Sequence, residues 1–166
     1  MNRLDTSLIG RIAKAGAVAA ALVLSTPVGH AQSLPFAGFD GNWSGNGTVS
    51  LSDGSSERIR CRAEYRVDGT GMALKQTLRC ASDSYKFDLS SDVKSEGDHV
   101  TGNWTETNRN ISGSVLGTAG GGKIDVAVEA VGFSASLSLH TAGNKQTIQI
   151  SSKGDIRGVN ITMVKS

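Results

Sequence analysis

Apolar and polar residues alternate one by one along most of this chain, and this period of two restricts the fold more than any other feature. Between Arg58 and Val67, for example, every second residue is charged and the residues between them are apolar or cysteine. Such alternation is typical of a β-strand with one face in a core and the other in water. After residue 31, no stretch keeps an apolar stripe with the 3.6-residue period of a helix. The sequence therefore predicts an all-β protein.

About ten alternating segments follow one another, separated by short clusters of turn-forming residues such as Asp68–Gly71 and Gly120–Gly122. Strands joined by short turns pair as consecutive antiparallel hairpins. For residues 41–166 we predict an antiparallel up-and-down β-barrel of about ten strands, because closure removes exposed edges. A two-sheet β-sandwich is the alternative, since both folds need the same alternation. Several positions on the inner face are small, which is compatible with a hollow barrel or with a flattened one: Gly45, Gly47, Ala63, Gly102, Gly113, Gly117 and Ala135.

The first 31 residues are organised like a secretory signal peptide. A basic segment up to Lys14 precedes the apolar segment Ala15–Leu24, and Gly29 and Ala31 provide the small residues of a cleavage site. This apolar segment has ten residues, whereas a membrane-spanning helix needs about 20. We predict cleavage after Ala31, a periplasmic or secreted protein, and an N-terminal extension over residues 32–40.

The formal net charge of +2 comes from this N-terminal segment, because the rest of the chain carries 14 basic and 14 acidic residues. A balanced charge of this kind does not favour general nucleic-acid binding. A membrane-spanning barrel would carry aromatic girdles and long loops on one side. The chain has only 2 Trp, 2 Tyr and 4 Phe, and its predicted turns are short. We therefore expect an exported protein that does not bind nucleic acid, and we consider a membrane barrel the weaker alternative.

Cys61 and Cys80 are the two cysteines of the chain. A hairpin that turns at Asp68–Gly71 and pairs Val67 with Leu74 also brings the two cysteines opposite each other, on the apolar face. An even number of cysteines in an exported protein favours a disulfide. Closing a loop of about 20 residues would stabilise the fold by roughly 3 kcal/mol. We interpret this disulfide as structural.

The polar face of the same hairpin concentrates positive charge. Its register places Arg62 opposite Arg79 and Arg66 opposite Lys75, and a tight turn over residues 81–84 would place Arg79 opposite Lys86. Like charges directly opposite each other destabilise a sheet. Their clustering suggests a site for an acidic glycan, a lipid headgroup or a protein, and the alternative is a solvated face relieved by neighbouring acidic residues. The predicted anion patch consists of Arg58, Arg60, Arg62, Arg66, Lys75, Arg79 and Lys86.

Two resemblances bear on function. Gly41-Asn42-Trp43, at the start of the first strand, resembles the G-x-W motif of lipocalins and related barrels. This resemblance implies a barrel in which the Trp closes one end and the interior holds an apolar ligand. From Phe39 to Met163 the chain also resembles a group of small exported bacterial proteins, mainly over Glu57–Arg62, Leu78–Leu89 and the final strands. That likeness implies a location in the bacterial envelope.

These features favour a non-enzymatic barrel that binds a small apolar or amphipathic ligand, without a cofactor or a metal. His99 and His140 are the histidines after residue 31, and both lie at outward positions near strand ends, so no catalytic group can be assembled from the sequence. An envelope protein that uses the anion patch is the second hypothesis, and the oligomeric state stays open. The candidate ligand-binding residues are Trp43, Tyr65, Leu74, Gln76, Phe87, Trp104, Glu106 and Leu137.

Overall fold

A computed structural model describes residues 34–166, and the predicted signal peptide lies outside the described residues. Ten antiparallel strands pair in chain order, and the sheet closes because the last strand pairs with the first. This closure confirms the up-and-down barrel rather than the sandwich. Within residues 34–166, no helix is long and apolar enough to cross a membrane. The strands are β1 (Gly41–Leu51), β2 (Ser56–Val67), β3 (Ala73–Ala81), β4 (Lys86–Glu96), β5 (His99–Glu106), β6 (Ile111–Gly120), β7 (Lys123–Ala130), β8 (Phe133–Ala142), β9 (Lys145–Ser152) and β10 (Ile156–Lys165).

The β2–β3 hairpin has the predicted register. Val67 lies opposite Leu74, and Cys61 lies opposite Cys80 with 4.1 Å between their Cα atoms. The two cysteines form a disulfide inside the barrel, where both side chains are buried. A disulfide is typical of proteins in an oxidising compartment.

The β3–β4 turn lies one residue further along the chain than the sequence analysis expected. The backbone N–H of Ser82 donates to the carbonyl of Tyr85 at 2.8 Å, so the turn is centred on residues 83 and 84. The pairing therefore moves by two positions, and Arg79 lies opposite Asp88 rather than Lys86. The carboxylate of Glu57 stabilises this turn, because it accepts a 2.7 Å hydrogen bond from the hydroxyl of Ser82.

One end of the barrel is closed by the segment that precedes β1. Phe36 and Phe39 lie in a turn over residues 35–39, and both side chains are completely buried. The indole N–H of Trp43 donates to the carbonyl of Phe39 at 2.9 Å, and the Phe39 ring packs against Tyr65 with 6.4 Å between ring centroids. These two phenylalanines lie outside the alternating segments from which the strands were predicted. Together they form the plug of the closed end.

Glycines on the inner face let neighbouring strands approach closely. At Gly45 and Gly113, an added Cβ would lie 1.9 Å and 1.8 Å from a carbonyl oxygen of the adjacent strand. Gly47, Gly102 and Gly117 have the same geometry, with distances of 2.1 to 2.2 Å. A side chain at these positions would overlap the backbone of the neighbouring strand, and glycine in a strand often marks such a close approach. These glycines therefore permit close contact between neighbouring strands. They are not the reason for the empty space inside the barrel.

Candidate functional site

The barrel encloses an apolar cavity in its central part. Leu89, Leu137 and Ile150 point inward but remain only partly buried, whereas the inward side chains near the plug are almost completely buried. Their exposed area faces a space of about 130 Å³, which we call the inner cavity. Its walls are formed mainly by the aliphatic side chains of Leu, Val and Ile residues, with one Trp and one Phe. An apolar cavity with few polar groups is typical of a site for a small apolar ligand.

A second space of about 340 Å³ lies between the inner cavity and the end of the barrel opposite the plug. We call it the mouth. The inner cavity and the mouth share four lining residues, which mark the passage between them: Leu89, Trp104, Phe133 and Ile150.

Aromatic rings surround the mouth. Tyr85 and Phe87 stack with 6.2 Å between their centroids, and the guanidinium of Arg109 lies 5.1 Å from the centroid of the Phe87 ring. Phe133 packs edge-on against Trp104 at 5.6 Å. Val131, in the adjacent β7–β8 turn, is fully exposed. The entrance thus combines flat apolar surfaces with one cation, a combination suited to an amphipathic molecule.

Glu106 is a buried carboxylate at the mouth, and it anchors the β5–β6 turn. It accepts hydrogen bonds from the backbone N–H groups of Asp88, Asn108 and Arg109 at 2.7 to 3.3 Å, and the Arg109 guanidinium lies 3.5 Å away. Burial alone would raise the pKa of Glu106, but the N–H donors together outweigh it and lower the pKa below its ordinary value. Because the Glu106 oxygens already accept hydrogen bonds from the protein, this carboxylate has a structural role. The charged group at the mouth that still has N–H donors for a ligand is Arg109.

Five polar side chains from five strands form a hydrogen-bonded network beside the inner cavity, which we call the polar floor. The hydroxyl of Tyr65 donates to Gln146 at 2.9 Å, and the Gln146 amide donates to Thr141 at 3.0 Å. On the cavity side, Gln76 donates to Tyr65 at 3.4 Å, and Ser91 donates to the Gln76 carbonyl at 3.1 Å. Burial raises the pKa of Tyr65 well above its ordinary value, so this hydroxyl stays protonated as a donor.

Comparison with known proteins agrees with this geometry. No protein-family model and no curated protein matches the sequence. Among solved structures, Rv2717c from M. tuberculosis matches with a TM-score of 0.62 at 10% identity, covering 76% of this chain and 92% of that protein. The S-type phycobiliprotein lyase CPES from Guillardia theta matches with a TM-score of 0.53 at 10% identity, covering 76% of this chain and 88% of that protein. The chain therefore shares the barrel fold of these two proteins. At this level of identity the similarity shows the fold alone.

The barrel brings most of the predicted ligand-binding residues to its interior space. Leu74, Gln76 and Leu137 line the inner cavity, Phe87 and Glu106 line the mouth, and Trp104 lines both. Trp43 and Tyr65 line neither space, because the plug packs against them. Arg109 and Phe133 were missed, although Phe133 was visible in the sequence as the first apolar residue of an alternating segment.

Trp104 carries a buried donor that is not hydrogen-bonded. Among the described residues, its indole N–H has no acceptor within hydrogen-bond distance. The nitrogen lies over Gly113, 2.8 Å from where a Cβ would stand, so the ring covers the glycine of the neighbouring strand. We interpret Trp104 as part of the cavity wall. A ligand would contact the face of its indole ring and not its N–H.

The basic residues of the anion patch lie on the outer surface of the barrel. Arg62 lies opposite Arg79 and Arg66 opposite Lys75, as predicted. Three of the seven have acidic partners: Arg66 with Glu64 at 2.5 Å, Lys75 with Asp92 at 3.3 Å and Arg79 with Asp88 at 3.2 Å. Within the described part of the chain, the residues of the anion patch without an ion pair are Arg58, Arg60, Arg62 and Lys86.

A broad depression of about 1430 Å³ lies on the outer face of β10, β1, β2, β3 and β4. Four residues of the anion patch line it: Arg60, Arg62, Arg79 and Lys86. Small polar side chains such as Ser44 and Asn46 line it beside them. His99 and His140 are exposed on the outer surface, as predicted. Over residues 34–166, no group of three His, Cys, Asp or Glu side chains is arranged to hold a metal ion.

Proposed function

We propose that this protein is an exported, non-enzymatic barrel that binds a small apolar or amphipathic ligand. The observation that carries the proposal is an apolar cavity that continues from the mouth into the centre of a barrel closed at its other end. Small-molecule sites are concave, mainly apolar and largely pre-formed, and they typically enclose about 300–1,000 Å³. The inner cavity alone, about 130 Å³, lies below that range, and the space reaches it only together with the mouth of about 340 Å³, so the ligand is small.

The mouth supports the amphipathic part of the proposal. An apolar body would pass Phe87 and Phe133 and lie against Leu89, Leu137 and Ile150. A polar or anionic end left at the entrance would meet Arg109, whose guanidinium is partly exposed. Export is supported by the disulfide Cys61–Cys80 together with the sequence pattern of residues 1–31.

Filling the inner cavity tests this proposal. The fluorescent apolar probe N-phenylnaphthylamine should bind the wild-type protein with enhanced emission. Leu137→Trp places a large side chain into the inner cavity and should weaken binding at least about ten-fold, which corresponds to about 1.4 kcal/mol. The matched control is Leu116→Trp, because Leu116 lies on the outer surface with 63% of its area exposed.

Two results would contradict a ligand-binding barrel. One is no binding of the probe to the folded wild-type protein at any accessible concentration. The other is equal binding by Leu137→Trp and Leu116→Trp, since the probe would then occupy the outer surface.

A second candidate function rests on the outer depression. We propose that Arg60, Arg62 and Lys86, which have no ion pair among the described residues, recognise an acidic polymer of the cell envelope. Dextran sulfate is a suitable probe, with neutral dextran as its uncharged counterpart. Arg60→Glu/Arg62→Glu should abolish salt-sensitive binding, whereas Lys94→Glu/Lys145→Glu makes the same charge change at exposed positions outside the depression. Equal loss in both double variants would indicate a nonspecific charge effect and would exclude the site.

A further inference from the structure

Gln76 differs from the other members of the polar floor in what it contributes to the fold. Tyr65, Gln146 and Thr141 are linked by bonds of 2.9 and 3.0 Å and are buried in the closed half of the barrel. Gln76 reaches this group by the longest bond of the network, 3.4 Å from the Tyr65 hydroxyl. It remains partly exposed, and its exposed side lines the inner cavity. The closed half is therefore hydrogen-bonded without Gln76.

Gln76 and Ser91 retain hydrogen-bonding capacity on the cavity side. A glutamine amide has two N–H donors, and a serine hydroxyl has one donor and two acceptor positions. Gln76 uses one N–H on Tyr65, and Ser91 uses its donor on the Gln76 carbonyl. In the described structure this leaves one amide N–H of Gln76 and the oxygen lone pairs of Ser91 for a further partner. Both side chains are already fixed by these bonds, so a partner would meet them pre-oriented.

We propose that Gln76 and Ser91 form a polar subsite that recognises a neutral hydrogen-bonding group at the buried end of the ligand. This inference rests on the proposed ligand-binding function and specifies its ligand class: an apolar body that enters with a carbonyl or hydroxyl group first. A ketone or ester oxygen would accept from the Gln76 amide, and a hydroxyl would in addition donate to Ser91.

The walls of the inner cavity exclude an ionised group at this position. Among the described residues, its lining contains no Lys, Arg, His, Asp or Glu, and the polar side chains on the inner face there are Gln76 and Ser91. Transferring an unpaired carboxylate into such surroundings costs far more than one hydrogen bond returns. An acid could therefore place its charge only at the mouth, beside Arg109, which leaves the polar subsite to neutral groups.

Two naphthalene derivatives of nearly equal shape test the subsite: acetylnaphthalene, which carries a ketone, and isopropylnaphthalene, which does not. The ketone is better hydrated in water than the hydrocarbon, so the two compounds would differ in affinity even without a subsite. The informative quantity is therefore the ratio of the affinity for the ketone to the affinity for the hydrocarbon, and how this ratio changes between variants, as in a double-mutant cycle. Gln76→Leu should shift this ratio about ten-fold towards the hydrocarbon, the effect of one lost hydrogen bond in an apolar site. Ser91→Ala should shift it in the same direction by a smaller factor, because Ser91 does not bond to the ketone itself but holds the Gln76 amide in its orientation.

Thr141→Val provides the control, because Thr141 belongs to the same network but does not line the cavity. It should alter stability without altering the ratio. If both Gln76→Leu and Ser91→Ala leave the ratio within two-fold of the wild type, the subsite is excluded while ligand binding stands. If the wild-type protein binds neither compound, the proposed function fails and this inference fails with it. Ionised naphthoic acid that binds as strongly as the ketone, and whose binding is weakened by Gln76→Leu, would overturn the neutral ligand class, because its carboxylate would then lie at the subsite rather than beside Arg109.

Discussion

The side chain of Glu106 holds the β5–β6 turn in place at the mouth. Its carboxylate organises the β5–β6 turn through backbone N–H groups on two sides, from Asp88 on β4 and from Asn108 and Arg109 within the turn. Several donors on one carboxylate favour its charged form. The position of Arg109 at the entrance therefore depends on the ionisation of Glu106.

Glu106→Gln should destabilise the protein by about 2 kcal/mol at pH 7, because hydrogen bonds to a charged acceptor are lost. The pKa of Glu106 is lowered on folding, so its contribution is complete above the ordinary value of 4.5 and is lost as the pH falls through the folded value. The difference between wild type and variant in urea unfolding should therefore shrink from pH 7 to pH 3. Asp125→Asn is the control, since Asp125 is exposed and lies 3.8 Å from Lys123. A difference that stays constant with pH would contradict this role of the charge.

The residues of the candidate site were predictable where local alternation decides which face they occupy. The hairpin register placed Gln76 opposite Tyr65 on the inner face, and the structure has this pair. It was not predictable that Gln76 borders a cavity while Tyr65 is covered, because that depends on the plug. Phe36 and Phe39 lie three positions apart in the predicted N-terminal extension, residues 32–40, and show no periodicity that would have indicated burial.

At the scale of the strand, the sequence allowed two opposite interpretations of the inward-facing glycines. An inward glycine leaves space if the neighbouring strand is distant, and it permits contact if that strand is close. The choice depends on the path of another strand, which local sequence does not encode. The structure shows close contact at Gly45, Gly47, Gly102, Gly113 and Gly117.

Two glycines of β6 allow a direct test of this geometry. Gly113→Ala should destabilise the barrel by about 2–3 kcal/mol, because the new Cβ would overlap the carbonyl oxygen of Glu129 and the strands must separate. Gly120→Ala, at the end of the same strand, meets no atom within 4 Å and should be nearly neutral. Thermal unfolding of both variants would measure the difference. Equal stability of the two variants would show that the strands are further apart at Gly113.

The β3–β4 turn shows how far register can be predicted from sequence. In the β2–β3 hairpin, the two cysteines and the apolar alternation agree on one register, and that register is correct. In the β3–β4 hairpin the alternation alone permits pairings that differ by two residues, since each keeps the same faces. The Ser82–Tyr85 hydrogen bond decides between them, and the consequence is an Arg79–Asp88 ion pair instead of a further pair of like charges.

At the scale of the whole molecule, the sequence predicted strand number, strand order and disulfide but left barrel and sandwich open. Both folds use the same strands and the same hairpins. They differ in the pairing of β1 with β10, between residues more than 100 positions apart, and no local pattern specifies such a contact. The removal of exposed edges favoured the barrel, and the structure confirms it. The resemblance of Gly41-Asn42-Trp43 to the lipocalin motif implied a Trp at a closed end, and Trp43 is buried there.

A barrel closed at one end can exchange a ligand only through its mouth, so the plug is part of the proposed function. Phe39→Ala should destabilise the protein by about 3–5 kcal/mol, because a completely buried ring that packs against Tyr65 is removed. Leu34→Ala is the matched control in the same segment, since half of the Leu34 surface is exposed. Denaturant unfolding should separate the two variants clearly. A loss below about 1 kcal/mol for Phe39→Ala would mean that the barrel folds independently of the plug, and the cavity would then have to be considered open at both ends.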